Sequence, residues 1–301
     1  MDKSKFFTER GAELREKVLS KSGRGVELTN AIIEHFERLH SLPEIFDKGI
    51  EEKILLEKLN NLKNPKQLNF EKGLVTFSPS SASRCERELF FKAMNEEQDE
   101  QPILPYQYRW LRNASAVHEA VQKDLLLAET HLKEPKFTVE KMQDGSVAWE
   151  HNLKDVKIFE HNGVKFQLFG MMDGILRYTN DHSRIGFEYK TKSTTISAVG
   201  NYKLKDAQDS HKEQAIAYSL LFGIDEFLFV YESLAKDGWT KGVEAKPDLR
   251  AFYFKPTQEQ KLELLDKFAR VAKMVYEKRL PSPELDKCLF CPFKSVCNRS
   301  A

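Results

Sequence analysis

The chain has 301 residues, and its 47 Lys and Arg against 46 Asp and Glu give a formal net charge of only +1 at pH 7. This charge argues against a protein that coats nucleic acid through bulk positive charge, although a local basic groove is compatible with it. A composition of 41% hydrophobic and 31% charged residues excludes a disordered or collagen-like chain. No apolar run is long enough for a transmembrane helix, so we expect no membrane association.

The N-terminus leads into a charged segment without an apolar signal core, which predicts a cytoplasmic protein. In that compartment, four cysteines favour metal or redox use over a disulfide scaffold.

Residues 1–72 are expected to form a helical extension. Leu, Ile and Phe recur at three- and four-residue intervals in Ser4–Leu19, Glu27–His40 and Lys48–Leu62. Gly23 and Gly25 are expected to separate the first two helices. No catalytic constellation occurs here, so the segment is predicted to pack on the main body, with a docking surface for a partner or for DNA as the alternative.

The main body, residues 73–301, is predicted to be an α/β domain. A helix is expected to begin near Ser78, where hydroxyl groups can cap exposed N–H groups, and longer helices follow at Tyr106–His131, Lys205–Phe222 and Thr257–Arg279. Strands rich in Val, Ile, Phe and Tyr are predicted at Phe137–Val139, Val156–Ile158, Val164–Phe169, Gly174–Tyr178, Ile185–Lys190, Glu226–Glu232 and Leu249–Phe254. Strands flanked by long helices indicate a central mixed sheet covered by helices.

Two neighbouring strands carry an acidic motif, Gly170-Met-Met-Asp173 followed by Glu188-Tyr-Lys190. Alternate residues of a strand share a face, so Glu188 and Lys190 are expected to point the same way. If the strands pair through the turn between them, Asp173 lies beside Glu188. Two converging carboxylates are costly without a cation, and Mg²⁺ or Mn²⁺ suits oxygen ligands.

This pattern predicts phosphodiester hydrolysis. The metal would polarise the scissile phosphate and activate water, while Lys190 would orient that water or stabilise the developing negative charge. The alternative is an ordinary strand with charged residues on its exposed face.

Residues on two predicted helices complete the candidate site. His118 follows the small residues Ala114 and Ala116, which we expect to let its helix approach the sheet, although a hydrogen-bonded core or surface histidine is the ordinary alternative. Gln214 and Tyr218 lie four residues apart on one helical face and suit a strand of nucleic acid, and an ordinary amphipathic helix explains them equally well. Lysines at 190, 192, 203, 205 and 212 would add a local positive field, with a solvated lysine face as the alternative.

Three cysteines form a C-x₂-C-x₅-C cluster at Cys288, Cys291 and Cys297, and the fourth is Cys85. Three cysteines within ten residues favour a metal site. A four-cysteine zinc site and a [4Fe–4S] cluster both fit the spacing, and two disulfides are a third alternative. Any of these would join the end of the chain to the start of the main body, so the site is predicted to be structural.

Taken together, these motifs resemble the RecB-like branch of the PD-(D/E)XK nucleases, in particular its iron–sulfur members: the CRISPR-associated RecB-like exonucleases and the nuclease domain of AddB. The resemblance covers residues 76–301 and follows the family's order: a first cysteine, a helical histidine, G-x-x-D, E-x-K, Q-x-x-x-Y and a cysteine trio. It implies a restriction-endonuclease-like core.

The resemblance also implies a role for each matching residue. His118, Asp173, Glu188 and the carbonyl of Tyr189 would bind Mg²⁺ or Mn²⁺, and Lys190 would position the nucleophile. Gln214 and Tyr218, with Lys192 nearby, would contact DNA. Cys85, Cys288, Cys291 and Cys297 would hold a [4Fe–4S] cluster.

The sequence therefore predicts a metal-dependent DNA exonuclease that acts on ends or single strands in recombination, repair, or phage or CRISPR DNA processing. A recombination or CRISPR protein is a possible partner. The alternatives are a catalytically silent DNA-binding adaptor on the same fold and a nuclease stapled by zinc.

Overall fold

The computed structural model describes residues 23–299. Its helices are α1 (23–40), α2 (Lys48–Lys63), α3 (Glu86–Ala93), α4 (Pro105–His131), α5 (Asp209–Phe222), α6 (Gln258–Tyr276) and α7 (Lys294–Arg299). Its strands are β1 (Thr76–Phe77), β2 (Phe137–Val139), β3 (Lys154–His161), β4 (Val164–Met171), β5 (Gly174–Tyr178), β6 (Arg184–Lys192), β7 (Phe227–Ser233) and β8 (Leu249–Phe254).

The strands form two mixed sheets flanked by helices, which confirms the predicted α/β class. The larger sheet has the order β2–β5–β6–β7–β8, with β6 and β7 parallel and the other neighbours antiparallel. The smaller sheet has the order β1–β4–β3. The chain leaves the smaller sheet at Met171 and enters the larger one at Gly174, so Asp173 lies in the crossing between the two sheets.

Helix α1 packs on one face of the larger sheet. Its buried residues Leu28, Ile32, Phe36 and Leu39 repeat at helical spacing. The ring of Phe36 lies 6.2 Å from that of Tyr189 on β6, centroid to centroid. The predicted helical extension therefore shares its core with β6, while the boundary at residues 72 and 73 stays a prediction.

Helix α5 lies between the two sheets. Ile216 and Ala217 belong to the apolar cluster of the smaller sheet, whereas Ala215 and Tyr218 belong to a cluster on the larger one. Gly170 allows α5 to approach β4 closely, because a Cβ there would lie 3.1 Å from the Cδ2 of Leu221 and 2.7 Å from the Cγ of Pro79. The helix ends at Gly223, whose φ of 67° is a left-handed cap.

Most elements agree with the sequence expectations, and the differences have local causes. The helix expected near Ser78 is a 3₁₀ turn at Pro79–Ser81, and α3 begins only after Cys85. Gly25 does not break α1 but lies inside it, where the helix passes close to Tyr253: a Cβ at residue 25 would come within 3.1 Å of the Cδ1 of Tyr253. The helix expected at Ser4–Leu19 lies outside the described residues. Within residues 23–299, no helix combines the length and the apolar character needed to cross a membrane.

One buried polar side chain on α1, that of His35, lacks hydrogen-bond partners among the described residues. His35 has no exposed surface, and neither ring nitrogen has a hydrogen-bond partner among the described residues. Burial, followed by the nearby Arg38 charge, lowers the pKa of His35 from 6.5 to about 4. Between pH 6.5 and 4 the unfolded chain binds a proton at His35 while the folded protein does not. The free energy of unfolding therefore decreases as the pH is lowered from 6.5 to 4.

We predict that His35→Leu raises the free energy of unfolding at pH 7 by about 1–2 kcal/mol, because a leucine of similar size needs no hydrogen bonds. The variant should also lose a dependence of about 1.4 kcal/mol per pH unit between pH 6.5 and 4. Urea unfolding at several pH values measures both effects. Equal stability and an unchanged pH dependence would contradict this view of His35.

Candidate active site

Asp173 and Glu188 meet where β5 begins beside β6. The strands are antiparallel with Gly174 opposite Phe187, so the preceding residue, Asp173, lies opposite Glu188. The Asp173 carboxylate accepts a hydrogen bond from the backbone N–H of Tyr189 at 2.8 Å. Asp173 is thereby fixed in the crossing between the sheets, next to the second carboxylate.

The Glu188 carboxylate is buried and only half compensated. Glu188 is 1% exposed; its Oε2 accepts a hydrogen bond from Nζ of Lys190 at 2.5 Å, and its Oε1 has no partner among the described residues. Burial and then the charge of Asp173 raise the pKa of Glu188 to about 7. Burial also raises the pKa of Asp173. A cation at this point would favour the charged forms of both groups.

Lys190 remains charged despite its buried position. Desolvation alone would lower its pKa, but the carboxylates of Glu188 and Asp173 outweigh this effect and raise the pKa above its usual value. The ammonium group therefore persists at neutral pH beside the two acids.

His118 and Glu150 complete a group of possible metal ligands with Asp173. Nδ1 of His118 lies 3.7 Å from Oδ2 of Asp173 and 4.0 Å from Oε1 of Glu150. One donor atom of each residue lies within 4.8 Å of the others. Two ligands of one Mg²⁺, each about 2.1 Å from the ion, lie roughly 3–4 Å apart. The separations fit an ion between the three side chains.

The protonation state of His118 also suits a metal ligand. Burial, and then the charge of Lys190, lower its pKa, so the imidazole is neutral at neutral pH and has a free lone pair. The ring also forms a hydrogen bond with the backbone of Tyr189. This contact brings the Tyr189 backbone, predicted to supply a carbonyl ligand, next to His118 and Asp173.

Sequence reasoning missed Glu150. The residue lies in the loop before β3, where neither a strand nor a helix period marks it. Its φ of +30° is unusual for a residue with a side chain, and the backbone N–H donates to the carbonyl of Met172 at 2.8 Å. This strained turn aims the carboxylate at His118, and only the tertiary structure reveals it.

Tyr218 has a different environment from the one expected of a DNA contact. It is 4% exposed, and its hydroxyl donates to the carbonyl of Met171 at 2.6 Å while accepting from Nε2 of Gln214 at 2.8 Å. Tyr218 thus supports the segment that carries Asp173. Gln214 is half-buried, so a contact with DNA stays a prediction for its amide.

Two further expectations can be placed in the structure. Nζ of Lys192 donates to Oε1 of Gln208 at 2.9 Å and lies over the Tyr231 ring, at the end of β6. Ala116 is exposed, so it does not pack on the sheet as expected, because the buried part of α4 begins only at Val121.

The four cysteines line one cavity of about 140 Å³. All four are free cysteines, with no disulfide bond between any two of them. Among the described residues, no three of their sulfur atoms lie within 4.8 Å of one another. Arg87 donates a hydrogen bond to Sγ of Cys297 at 3.4 Å, and Lys287 and Lys294 also line the cavity.

Comparison with family models identifies the family to which the chain belongs. The family model of the PD-(D/E)XK nuclease superfamily matches residues 73–298, and the chain belongs to that superfamily. The match confirms the nuclease-superfamily resemblance and extends over both sheets, the acidic site and the cysteine cavity.

Two solved structures show limited similarity to the chain. The crystal structure of SSO0001 is 17% identical and has a TM-score of 0.41, covering 84% of this chain and 95% of its own. An alkaline exonuclease, LHK-Exo from Laribacter hongkongensis, is 11% identical with a TM-score of 0.39, covering 68% of this chain and 90% of its own. A comparison with curated proteins finds no match.

We predict that Glu150→Gln weakens Mn²⁺ binding about tenfold or more, because a neutral amide replaces the negative charge that the Glu150 carboxylate offers to the ion. The measurement is the rise in melting temperature with Mn²⁺ concentration, since a ligand at 100 times its Kd stabilises a protein by about 2.7 kcal/mol.

The matched control is Glu140→Gln, which alters a carboxylate that pairs with Arg177 and Arg184 instead of facing the site. This control should keep the wild-type Mn²⁺ dependence. An equal Mn²⁺ response in Glu150→Gln would remove Glu150 from the metal site.

Proposed function

We propose that this nuclease is a divalent-metal-dependent DNA exonuclease that hydrolyses phosphodiester bonds at ends or in single strands. The observation that carries the proposal is the buried Glu188 carboxylate, which lies beside Asp173 with one oxygen unpartnered and the other bonded to Lys190. Recombination, repair, and phage or CRISPR DNA processing in the cytoplasm are the settings that fit the sequence motifs.

The residues present fit Mg²⁺ or Mn²⁺. His118, Glu150, Asp173 and Glu188 would hold the ion, with the Tyr189 carbonyl as a further ligand. A bound ion of this kind polarises the scissile phosphate and lowers the pKa of the attacking water.

Lys190 supplies the remaining electrostatic chemistry. An ammonium group has three N–H donors, and one of them is used by Glu188. The other donors can orient the attacking water and stabilise negative charge on the phosphate oxygens. Because Glu188 anchors the ammonium, the charge is already in position when the substrate binds.

The cysteine cavity is proposed to hold a structural [4Fe–4S] cluster. A single tetrahedral zinc ion, with Zn–S bonds of about 2.3 Å, would need sulfur atoms roughly 3.8 Å apart. Three basic side chains, Arg87, Lys287 and Lys294, line the cavity beside one acid, Glu88, and this excess of positive charge favours an anionic cluster. Such a cluster would tie α3 to the last helix of the described chain.

We expect Asp173→Asn, Glu188→Gln and Lys190→Met each to lower kcat on linear DNA with Mg²⁺ or Mn²⁺ by at least about 10²-fold. The first two remove a charged ligand of the ion, and the third removes the ammonium group that stabilises the phosphate oxygens. End-labelled single-stranded, duplex and circular DNA report the activity, the need for an end and the direction of cleavage in one experiment.

The matched control is Asp225→Asn. Asp225 lies just before the first residue of β7, and its carboxylate pairs with Lys261. Its activity should equal that of the wild type. Full activity in any of the three site variants would refute the assignment, and wild-type DNA binding without cleavage under any divalent metal would favour the adaptor instead.

Anaerobically purified protein is expected to be brown and to contain about four irons and four sulfides per chain. Cys291→Ser should lose the iron and melt at a lower temperature, because the cluster closes a long loop of the chain. Asn298→Ala, which alters the same cavity without removing a thiol, should keep the iron. Colourless protein with stoichiometric zinc would contradict the cluster and favour the zinc alternative.

A further inference from the structure

The first half of α4 is an exposed helical arm. The helix runs from Pro105 to His131, but its buried residues begin only at Val121. The arm, defined as residues 105–117, exposes 46% of Tyr106, 67% of Tyr108 and 48% of Trp110. Tyr106 and Trp110 lie four residues apart on one side of the helix, with ring centroids 5.4 Å apart, whereas Tyr108 lies two residues from each and faces the other side. Large exposed aromatic side chains of this kind mark an interaction surface.

The charged side chains of this arm are all positive. Residues 101–118 contain no Asp or Glu, although 31% of the chain is charged. The arm carries Arg109 and Arg112, which alternate with the aromatic residues. Arg112 bonds only to the amide oxygen of Asn113, at 3.2 Å, and Arg109 has no carboxylate partner among the described residues. Neither guanidinium is therefore neutralised.

The arm leads directly to the candidate metal site. His118 follows Trp110 by eight residues on the same helix, a distance of about 12 Å at roughly 1.5 Å per residue. Ala114 lies four residues from both Trp110 and His118, so only a methyl group stands between the two side chains along the helix. About 12 Å corresponds to three or four stacked nucleotides at roughly 3.4 Å each.

We propose that the arm binds the single-stranded DNA that extends from the metal site. Unpaired bases stack on the side that carries Tyr106 and Trp110, while Arg109 and Arg112 bind the phosphates. Stacking of this kind tolerates any base, because every base has a π face. The proposal rests on the proposed nuclease function and specifies how its substrate is held.

Two features favour single-stranded DNA over other occupants. Bases in a duplex are stacked on each other and offer no free face to an aromatic side chain. A symmetric contact with a second copy would apply one patch to itself and bring unpaired arginines of both copies together. Phosphates compensate those arginines directly.

Fluorescence anisotropy with labelled oligothymidylate of about 16 nucleotides, in EDTA to prevent cleavage, tests the proposal. Tyr106→Ala and Trp110→Ala are each expected to raise Kd about tenfold, because one stacked base is lost, whereas Tyr108→Ala, on the other side of the helix, should leave Kd unchanged. Trp110→Phe should retain most of the affinity, since it keeps an aromatic face. Arg109→Ala and Arg112→Ala should each reduce the slope of log affinity against log salt by about 0.7.

The matched control is Phe46→Ala, an aromatic residue that is 78% exposed. Phe46 precedes Asp47, whose carboxylate bonds to His131 at the opposite end of α4, so the residue lies far from the arm. This variant should bind DNA with wild-type affinity.

The outcomes separate this proposal from the proposed function. Wild-type binding that depends on the arm, without cleavage under Mn²⁺, would support the arm and overturn the exonuclease. Cleavage by the wild type with unchanged oligonucleotide affinity in a Tyr106→Ala/Trp110→Ala double variant would overturn the arm. Loss of a dimer in that double variant, with unchanged DNA affinity, would assign the surface to a second copy and also overturn the proposal.

Discussion

The structure depends on keeping the Glu188 carboxylate buried beside Asp173. Two carboxylates in a desolvated site repel each other, and the single ammonium of Lys190 engages only one oxygen of Glu188. Burial raises the pKa values of both acids, and the charge of Asp173 adds to the rise at Glu188, to about 7. The two buried carboxylates are therefore electrostatically unfavourable as they stand, and a divalent cation bound between them would stabilise their charged forms.

The rest of the fold holds these groups in place. Phe36 of α1 packs against Tyr189 behind β6, and the Tyr218 hydroxyl on α5 binds the carbonyl of Met171 just before the crossing between the sheets. The backbone N–H of Tyr189 then fixes Asp173. These contacts come from three different elements. The apolar packing of the helices offsets the unfavourable free energy of burying the two carboxylates.

The sequence predicts the strands well because their periodicity is local. Phe137–Val139, Gly174–Tyr178 and Leu249–Phe254 form over the expected residues, and the antiparallel pairing of β5 with β6 brings Asp173 to Glu188 as expected. Glu150 could not be predicted, because a strained loop and a contact with Met172 aim its side chain. The split into two sheets and the exposed arm of α4 likewise depend on long-range packing.

Calorimetric titration of the metal-free protein with Mn²⁺ tests the central claim most directly, with Glu188→Gln and Asp225→Asn as the paired variants. If the unpartnered oxygen of Glu188 is held for a cation, the wild type and Asp225→Asn bind one site equally well, and Glu188→Gln binds at least about tenfold more weakly. Equal Mn²⁺ affinity in all three proteins would show that the buried carboxylate serves another purpose.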